Sequence, residues 1–373
     1  METPMHIQEE IIMDILSRLP VKSLFRFKCV SNSWKALICE PSFKKQHLNH
    51  AKNDKLLVLR IAKDSNVFFY CSSLLTTTTP HQIVRDVQES VCVPQCVPGY
   101  YDIYNYHLYG SCNGLFLIGI KQKRFLCNPS TRESILLPSH WDKFFHGYIH
   151  GMGYDPTSDD YKVVHIPEED EKAPTEILSL KTGSWRKIYG GDCSLQSGNM
   201  ECLTLLRGSF HWLTYSVDSM FSLISFNISN EVFGGLPLSK EMPLLCDTIE
   251  QGVTVLGGML SVNFLYEEED ATIFDLWVMK EYGMEESWTK LFTMRDSRDA
   301  YEVLPVVPKY IFADGELLFC SDRRIVLKTF KESDKRSNLV VPLTTDEDTD
   351  TTRDGFVYTE TLISPKDCVI ALN

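Results

Sequence analysis

The side chains of this sequence best suited to chemistry are scattered histidines, aspartates and cysteines. His146 and His150 lie four residues apart, a spacing that would place two metal ligands on one face of a helix. Glycines interrupt the surrounding stretch FFHGYIHGMG, and glycine disfavours a helix. We therefore predict that these histidines belong to a loop or a strand, and that the chain needs no metal or other cofactor.

A run of aspartates imitates the start of a calcium-binding loop. Asp346, Asp348 and Asp350 fill its first positions, but Thr351 replaces the required glycine and Val357 the closing glutamate. We interpret this run as a solvated acidic loop.

The 12 cysteines are scattered along the chain. Cys92 and Cys96 are close together, but no second pair mirrors them as a zinc site requires. We interpret the cysteines as reduced, mostly buried thiols of a cytosolic or nuclear protein.

Composition narrows the range of functions. The strings G-x-S-x-G, G-x-x-x-x-G-K-[S/T] and H-E-x-x-H are absent, so we predict no catalytic activity. A formal net charge of −13 argues against nucleic acid, because phosphate binding needs clustered Lys and Arg. No apolar run reaches the about 18 residues of a membrane-spanning helix, and the start of the chain does not resemble a signal peptide. With this charge, a basic protein fits better as a partner than nucleic acid does.

Residues 6–43 carry apolar side chains at helical spacing. One apolar stripe recurs every three or four residues, at Ile11, Ile12, Ile15, Leu16 and Leu19. This stripe predicts a first helix, which a proline ends at position 20 before opening the next helix.

Two further short helices complete this segment. A second apolar run spans 24–30, and Ser31 or Asn32 can cap a third helix that Pro41 stops. Three such short helices bury too little surface to be a comfortable independent domain. A helical cap on the following domain and a partner-binding segment both explain the pattern, which leaves the two alternatives open.

The string ILSRLPVKSLFRFKCVSNSWKALI closely resembles the F-box of plant F-box proteins. In that family the segment docks on a Skp-type adaptor, which links it to the cullin and RING subunits of a ubiquitin ligase. The resemblance implies that eight positions face the adaptor here: Ile11, Ile15, Leu16, Leu19, Pro20, Leu24, Val30 and Trp34. One departure is Ile7-Gln8 in place of the family's usual Leu-Pro, which removes a rigid helix start.

From Lys55 onward the pattern becomes that of β-strands, starting with LLVLRI and NVFFYCS. Four later segments share a small or polar residue, a glycine and an apolar strand, at Gly114, Gly208, Gly258 and Gly315. Their spacing is roughly fifty residues or twice that, and GMGYDPTSDDYKVVHI fills the longer gap. Each unit also contains a hairpin with turn residues at its centre, so the repeat is typical of four-stranded propeller blades.

We predict an α+β chain by segments, with a short three-helix N-terminal F-box followed by an all-β propeller-like domain of about five to six repeats. Five blades span Cys112 to Pro342, and a sixth would combine LLVLRI and NVFFYCS with the C-terminal GFVYTETLI. A β-sandwich of hairpins is the alternative. The predicted boundaries are 1–48 for the F-box, 49–111 for a connecting segment with the first strands, and 112–373 for the propeller-like domain.

The strings GSCNGL, NPSTRE, GYDPTSDDYKVV and LKTGSW resemble the F-box-associated domain of many plant proteins, among them S-locus F-box-like and F-box/kelch-repeat proteins. The resemblance covers nearly the whole chain. It implies a substrate-recognition subunit of an SCF-type ubiquitin ligase, in the cytoplasm, the nucleus or both. Recognition of a pollen ribonuclease and turnover of an immune receptor or another regulator are both open. The rival class is a non-ligase scaffold with a degenerate F-box cap, which Ile7-Gln8 favours, and a carbohydrate-binding propeller is a third.

Loops at equivalent repeat positions supply candidates for substrate binding. Two acidic loops hold Glu168, Glu169, Asp170, Glu267, Glu268 and Glu269. An acidic face can orient a basic protein, and charged tips that keep hairpins soluble explain the same pattern. Trp141 and Phe144 lie between the first two blades and are aromatic candidates, since loop aromatics often anchor partners. Buried closure of a blade explains them equally well.

Overall fold

The computed structural model describes most of the chain, in eighteen parts. These are residues 8–51, 54–61, 67–73, 88–91, 106–120, 123–138, 148–167, 174–189, 203–215, 220–243, 248–268, 271–297, 306–313, 315, 317–321, 327–330, 337–340 and 351–369. None of the helices in these parts is long and apolar enough to cross a membrane.

Four short helices form the N-terminal part, residues 8–51, which we call the helical unit. They are α1 Glu9–Leu16, α2 Val21–Phe27, α3 Asn32–Cys39 and α4 Pro41–His50. The hydroxyl of Ser31 accepts a hydrogen bond from the Trp34 amide at 3.1 Å, which confirms Ser31 as the predicted cap of α3. The predicted three helices are extended by α4, because Pro41 begins a helix as well as ending the one before it.

The rest of the described chain is mostly antiparallel β-sheet. Its strands are β1 Asp54–Ile61, β2 Val67–Ser73, β3 Gln88–Val91, β4 Tyr106–Cys112, β5 Leu115–Ile120, β6 Lys123–Asn128, β7 Glu133–Leu136, β8 Tyr148–Asp155, β9 Asp160–Pro167, β10 Thr175–Ser179, β11 Ser184–Ile188, β12 Thr204–Leu206, β13 Ser209–Tyr215, β14 Phe221–Asn227, β15 Phe233–Leu236, β16 Thr248–Leu256, β17 Met259–Glu268, β18 Ala271–Met279, β19 Trp288–Ser297, β20 Val306–Ile311, β21 Leu317–Ser321, β22 Leu327–Phe330, β23 Ser337–Val340 and β24 Thr351–Thr359. A short helix, α5 Pro365–Cys368, follows β24.

Within the described residues these strands form six four-stranded sheets, which we number as blades I to VI. Blade I has the order β24-β1-β2-β3, and blades II to VI take four consecutive strands each. The inner strands β4, β8, β12, β16, β20 and β24 contact one another in that order and back to β4. The sheets therefore form a closed ring, which confirms the propeller and excludes the β-sandwich.

Blade I joins the two ends of the β-domain. Strand β24 pairs antiparallel with β1, so that Lys55 lies opposite Tyr358 and Val58 opposite Gly355. The C-terminal strand thus supplies the inner strand and the N-terminal strands the other three. This confirms the predicted sixth blade, whereas β3 at 88–91 lies in a stretch for which the sequence predicted no element.

The glycine of the repeat marks the turn between the first and second strands of a blade. Asn113 and Gly114 join β4 to β5 with φ of 52° and 76°, and Arg207 and Gly208 join β12 to β13 with φ of 52° and 74°. Two consecutive residues with positive φ are the signature of a tight hairpin turn that suits the twist of the paired strands. Glycine recurs at the second position because it adopts this conformation without a steric penalty.

The apolar cores lie between neighbouring blades. Leu117 and Leu126 of blade II pack with Met152 and Val163 of blade III, and similar clusters join III to IV, IV to V and V to VI. Each sheet buries its faces against the next sheet. A single isolated blade would therefore leave its apolar side chains exposed to water.

A buried ion pair also joins blades III and IV. The Lys162 ammonium lies 2.8 Å from the Asp155 carboxylate and 3.2 Å from the Glu231 carboxylate of the next blade. Its third contact is the Ile228 carbonyl oxygen at 3.0 Å. The side chains of Lys162 and Asp155 are 9% and 2% exposed, so this charge pair is part of the core.

The propeller has two faces with different neighbours. The turns at Asn113–Gly114 and at Tyr154–Asp160 line cavities together with residues of α4, so the helical unit lies on that side. We call it the proximal face. Strands alternate in direction, so the ends at which the second and third strands of each blade meet lie on the opposite, distal face.

Candidate protein-interaction surfaces

The helical unit exposes large apolar side chains in the folded chain. Ile11 is 49% exposed, Ile15 55%, Phe25 38% and Val30 64%. All four side chains belong to α1, α2 and the turn after α2. Exposed apolar side chains that cluster on a protein surface mark interaction sites. The propeller leaves this part of the helical unit accessible.

The other apolar side chains of these helices form a small core. Leu16 is 2% exposed and Leu24 is fully buried, packed among Leu37, Ile38 and Phe43. The resemblance implied that Leu16 and Leu24 face the adaptor, but their side chains point into the core of the unit. We correct their role accordingly, because a side chain enclosed by its own chain supports a binding surface from beneath.

The remaining predicted positions lie at the boundary of that core. Leu19 and Trp34 are partly buried against it, and the Phe27 and Trp34 rings meet edge to face at 5.5 Å between centroids. Pro20 is exposed between α1 and α2. These positions remain predictions as adaptor contacts.

Helix α4 fastens the other helices from one side. The His47 ring nitrogen Nε2 lies 3.0 Å from the Leu19 carbonyl oxygen, and the Ser17 hydroxyl lies 2.9 Å from Nδ1 of His50. Burial lowers the pKa of His47, so its ring is neutral near pH 7 and can sit in an apolar setting. These contacts tie the C-terminal end of α1 to α4 and so help to position the exposed apolar side chains of α1.

Basic side chains surround part of this surface. The Lys28 ammonium lies 4.8 Å from the centre of the Phe25 ring, and Lys22 and Arg26 are exposed on the same helix. The surface therefore offers apolar contact with positive charge beside it, which suits a protein partner with an acidic border to an apolar groove.

Four large apolar side chains are exposed on the distal face of the propeller. Leu136 is 47% exposed, Tyr189 73%, Met220 40% and Ile249 47%, and each lies at or beside the distal end of its strand. Two exposed carboxylates, Glu267 and Glu268, end β17 on the same face. Of the four apolar side chains, Ile249 belongs to the same blade as these carboxylates, on the strand paired with β17.

Several predicted substrate-binding residues lie outside the described part of the chain. They are Trp141, Phe144, Glu168, Glu169, Asp170 and Glu269. The structure places Glu267 and Glu268 together at one strand end, as expected for neighbours in sequence.

Sequence reasoning missed Phe25 and the four exposed apolar residues of the distal face. In the sequence, Leu136 belongs to the apolar run 135–137, and Ile249 stands alone between Thr248 and Glu250, so neither pattern shows that the side chain is exposed. Leu136 pairs with Phe125 on the outer strand of blade II, and Ile249 lies at an irregularity in the pairing of β16 with β17. Phe25 had a weak signal, because it departs from the buried positions of its helix at Val21 and Leu24.

Groups suited to catalysis do not assemble in the described residues. No cluster of three or more His, Cys, Asp or Glu there could hold a metal ion. Burial raises the pKa of the Cys112 thiol to about 12, so that it stays protonated and unreactive. His150 lies on strand β8 and is buried, which confirms a strand position for this histidine.

Comparison with known protein families agrees with this architecture. A model described as the F-box domain matches residues 6–46, and one described as the F-box associated beta propeller domain matches residues 55–331. The chain belongs to the F-box proteins that carry this propeller domain. In this F-box protein the helical unit is the F-box, and blade I to blade VI form the associated propeller.

Named relatives of this F-box protein come from Arabidopsis thaliana. An F-box/kelch-repeat protein is 29% identical over 399 residues, which cover 98% of each chain. The F-box protein CPR1 is 30% identical over 322 residues, which cover 78% of this chain and 73% of CPR1. Among solved structures, TolB from Acinetobacter baumannii covers 84% of this chain and 70% of its own, with a TM-score of 0.47 and 11% identity.

Proposed function

We propose that this F-box protein is a substrate-recognition subunit of an SCF-type ubiquitin ligase. Its F-box binds a Skp-type adaptor, through which the cullin and RING subunits are recruited, and its propeller binds a protein to be ubiquitinated. The observation that carries the proposal is the exposure of Ile11, Ile15 and Val30, three of the apolar positions that match the family's adaptor-facing residues.

The chain itself makes and breaks no bond in this proposal. Its contribution is to hold a substrate close to the enzyme that carries ubiquitin, which raises the effective concentration of the substrate lysine. Such a subunit acts in the cytoplasm, the nucleus or both.

Adaptor and substrate would occupy opposite sides of the propeller. The helical unit lies on the proximal face, whereas Leu136, Tyr189, Met220 and Ile249 are exposed on the distal face. We propose that the distal face binds a basic protein, with Glu267 and Glu268 attracting it and the apolar side chains anchoring it. Trp141, Phe144, Glu168, Glu169, Asp170 and Glu269 are proposed to contribute to the same binding.

Two isoleucines with similar exposure provide a matched test. Ile15→Asp places a charge in the proposed adaptor surface, and Ile249→Asp makes the same change on the distal face. In a pull-down with a purified Skp-type adaptor, we expect Ile15→Asp to weaken binding about thirtyfold or more, as for an interface hot spot. Ile249→Asp should bind the adaptor like the wild type.

The possible results separate the two functional classes. Loss of the adaptor with Ile15→Asp alone supports the ligase subunit. If wild-type protein fails to bind the adaptor, the helices are a structural cap and the chain is a scaffold. That alternative draws on Gln8, which begins α1 without a side-chain cap. If Ile15→Asp binds as well as the wild type, the exposed apolar surface at Ile15 is not the adaptor site and the observation behind the proposal is lost.

The substrate surface needs a separate comparison. Proteins that co-purify with the wild type and with Ile15→Asp, but are lost with Ile249→Asp, would be candidate substrates of the distal face. If both variants retain the same proteins, the distal face at Ile249 is not the binding surface.

A further inference from the structure

The end of the chain runs from the propeller into the helical unit. Residues 360–369, which we call the C-terminal segment, follow strand β24 along the proximal face of blade II. The Thr361 hydroxyl donates to the Asn113 carbonyl oxygen at 2.8 Å, in the turn between β4 and β5. The segment therefore starts on a propeller turn that faces α4.

Leu362 is a core residue of the helical unit, although about 310 residues separate it from the helices in sequence. Its side chain is 2% exposed and packs with the cluster that contains Leu16, Leu24 and Phe43. The small core of these helices is therefore completed by a side chain that the helices do not contain.

The residues after Leu362 belong to a different core. Ile363, Cys368 and Val369 pack against the cluster between blades II and III. Consecutive side chains of one short segment thus enter the helical core and the propeller core. Such a segment restrains the position of one core relative to the other, because neither end can shift without disturbing packed side chains.

Asn128 holds the backbone of this segment. Its Nδ2 donates to the carbonyl oxygens of Thr361 at 3.1 Å and Ile363 at 2.7 Å, on either side of Leu362. Its Oδ1 accepts from the amides of Ser130 and Thr131, which closes the turn after β6. The side chain is 1% exposed, so it has no water to replace these partners.

The same position in blade IV makes only the local bonds. Asn227 ends β14, and its Oδ1 accepts from the amides of Ser229 and Asn230. Its Nδ2 donates to the Ser209 hydroxyl within the same blade, at 3.3 Å. The turn chemistry of the two asparagines is therefore alike, and the contact with the C-terminal segment is particular to Asn128.

Direct contact between helices and propeller is interrupted beside this segment. A cavity of about 880 Å³ lies between α4 and blade III, lined by Lys45 and Leu48 on one side and Tyr154 and Asp159 on the other. An ion pair between Lys44 and Asp367 of α5 borders it. α4 therefore does not pack closely on blade III there, and the C-terminal segment supplies packed contact between helices and propeller beside this cavity.

We propose that the C-terminal segment is a latch that fixes the helical unit on the propeller, with Asn128 and Leu362 as its positioning residues. The consequence for ubiquitin transfer rests on the proposed function. A fixed latch would hold the distal face, and any protein bound to it, at a constant distance and angle from the adaptor.

Asn128→Asp tests the latch with little change in shape. It keeps the Oδ1 acceptor that closes the turn, but it removes both donors and places a carboxylate against two carbonyl oxygens. In hydrogen exchange of the whole chain, we expect amides of α2, α3 and α4 to exchange about tenfold faster or more, as for a lost bond to a buried group. Asn227→Asp is the matched control and should leave those helices unchanged.

Leu362→Ala provides an independent variant. It removes a buried leucine from the helical core and should speed exchange of the same helices by roughly a hundredfold, while amides of β17 and β18 keep their wild-type rates. Small-angle scattering should show a larger radius of gyration for both latch variants than for Asn227→Asp.

The latch proposal fails if both latch variants leave exchange of the helices and the radius of gyration at wild-type values. If Asn128→Asp loosens β17 and β18 as well, the propeller itself is damaged and Leu362→Ala decides the outcome. These measurements use the chain alone, so their result stands apart from the adaptor pull-down that tests the proposed function.

Discussion

The F-box and the propeller of this protein use apolar side chains in opposite ways. In the helical unit, Leu24 is fully buried while Val30, in the turn after α2, is 64% exposed, so the apolar residues are divided between a core and the outer surface. In blades II to VI most described apolar residues are enclosed between neighbouring sheets. The helical unit therefore presents apolar side chains to water beside its core, whereas the blades bury most of theirs against one another.

The two parts also differ in how they are completed. The propeller closes on itself, since β24 pairs with β1. The core of the helices includes Leu362 from the other end of the chain. Stability of the F-box is therefore expected to depend on the propeller more than the propeller depends on the F-box.

The largest expected difference between propeller and F-box is in the free energy of unfolding that an ion pair contributes. Burial raises the pKa of Asp155, but hydrogen bonds from Lys162, Ser158 and Ser229 outweigh it and hold that pKa well below its usual range. Lys162→Met would leave the carboxylate buried without its cation and should lower the free energy of unfolding by about 3–5 kcal/mol. Urea unfolding of the whole chain measures this loss.

The exposed ion pair of α1 is the control for that measurement. Arg18 lies 2.9 Å from Asp14, and both side chains are more than half exposed. Arg18→Met should not change the unfolding curve measurably, because water and salt screen such pairs. Equal effects of Lys162→Met and Arg18→Met would contradict the view that the buried pair belongs to the core.

A pair of glycines tests the contact between the propeller and the C-terminal segment. An alanine Cβ at Gly114 would lie 2.6 Å from the Thr361 hydroxyl and 2.7 Å from the Thr359 carbonyl oxygen, whereas at Gly208 it would meet open space. Both substitutions strain a left-handed backbone by about 1–2 kcal/mol. Gly114→Ala should lower the free energy of unfolding by about 1–3 kcal/mol more than Gly208→Ala does, because it also overpacks the C-terminal segment. Thermal unfolding of both variants measures this difference. Equal losses would mean that the segment moves aside freely.

The smallest expected effect is a change in how steeply the free energy of unfolding varies with pH. Burial lowers the pKa of His211 to about 4, although hydrogen bonds with backbone groups oppose this. In the unfolded chain the ring takes up a proton near pH 6.5, so between pH 6.5 and 4 the unfolded state binds more protons and stability falls as pH falls. His211→Gln should reduce that slope by up to about 1.4 kcal/mol per pH unit.

Urea unfolding at pH 7, 6 and 5 gives this slope. His47→Gln in the F-box should change the slope in the same direction, since burial lowers the pKa of His47 as well. An unchanged slope for His211→Gln would show that its ring is protonated alike in both states.

Much of the fold could be predicted from the sequence because the tight turns of the blades require glycine at a fixed position. The glycines at 114, 208, 258 and 315 all adopt positive φ, and their spacing indicated the blades. The closing blade was predicted from unpaired β-rich runs at both ends of the β-domain. Strand β3 and helix α4 were less evident, because short polar segments have weak periodicity and gain their structure from neighbours.

The binding surfaces could be predicted only in part. A helical stripe shows that Ile15 and Leu16 are apolar, but it does not show which of them the rest of the chain covers. That division depends on α4 and on Leu362, whose contact crosses nearly the whole sequence. The exposure of Leu136 and Ile249 depends likewise on the sheet, because one lies on an outer strand and the other at an irregularity in strand pairing.

The pairing of β24 with β1 has a consequence for synthesis. A ribosome delivers β1 early and β24 last, so the edge of β1 has no partner until translation is almost complete. A chain cut short by a premature stop or by a protease would expose that edge and lack Leu362 as well. Unpaired edges invite pairing with other chains, so incomplete copies would be prone to aggregate through β1.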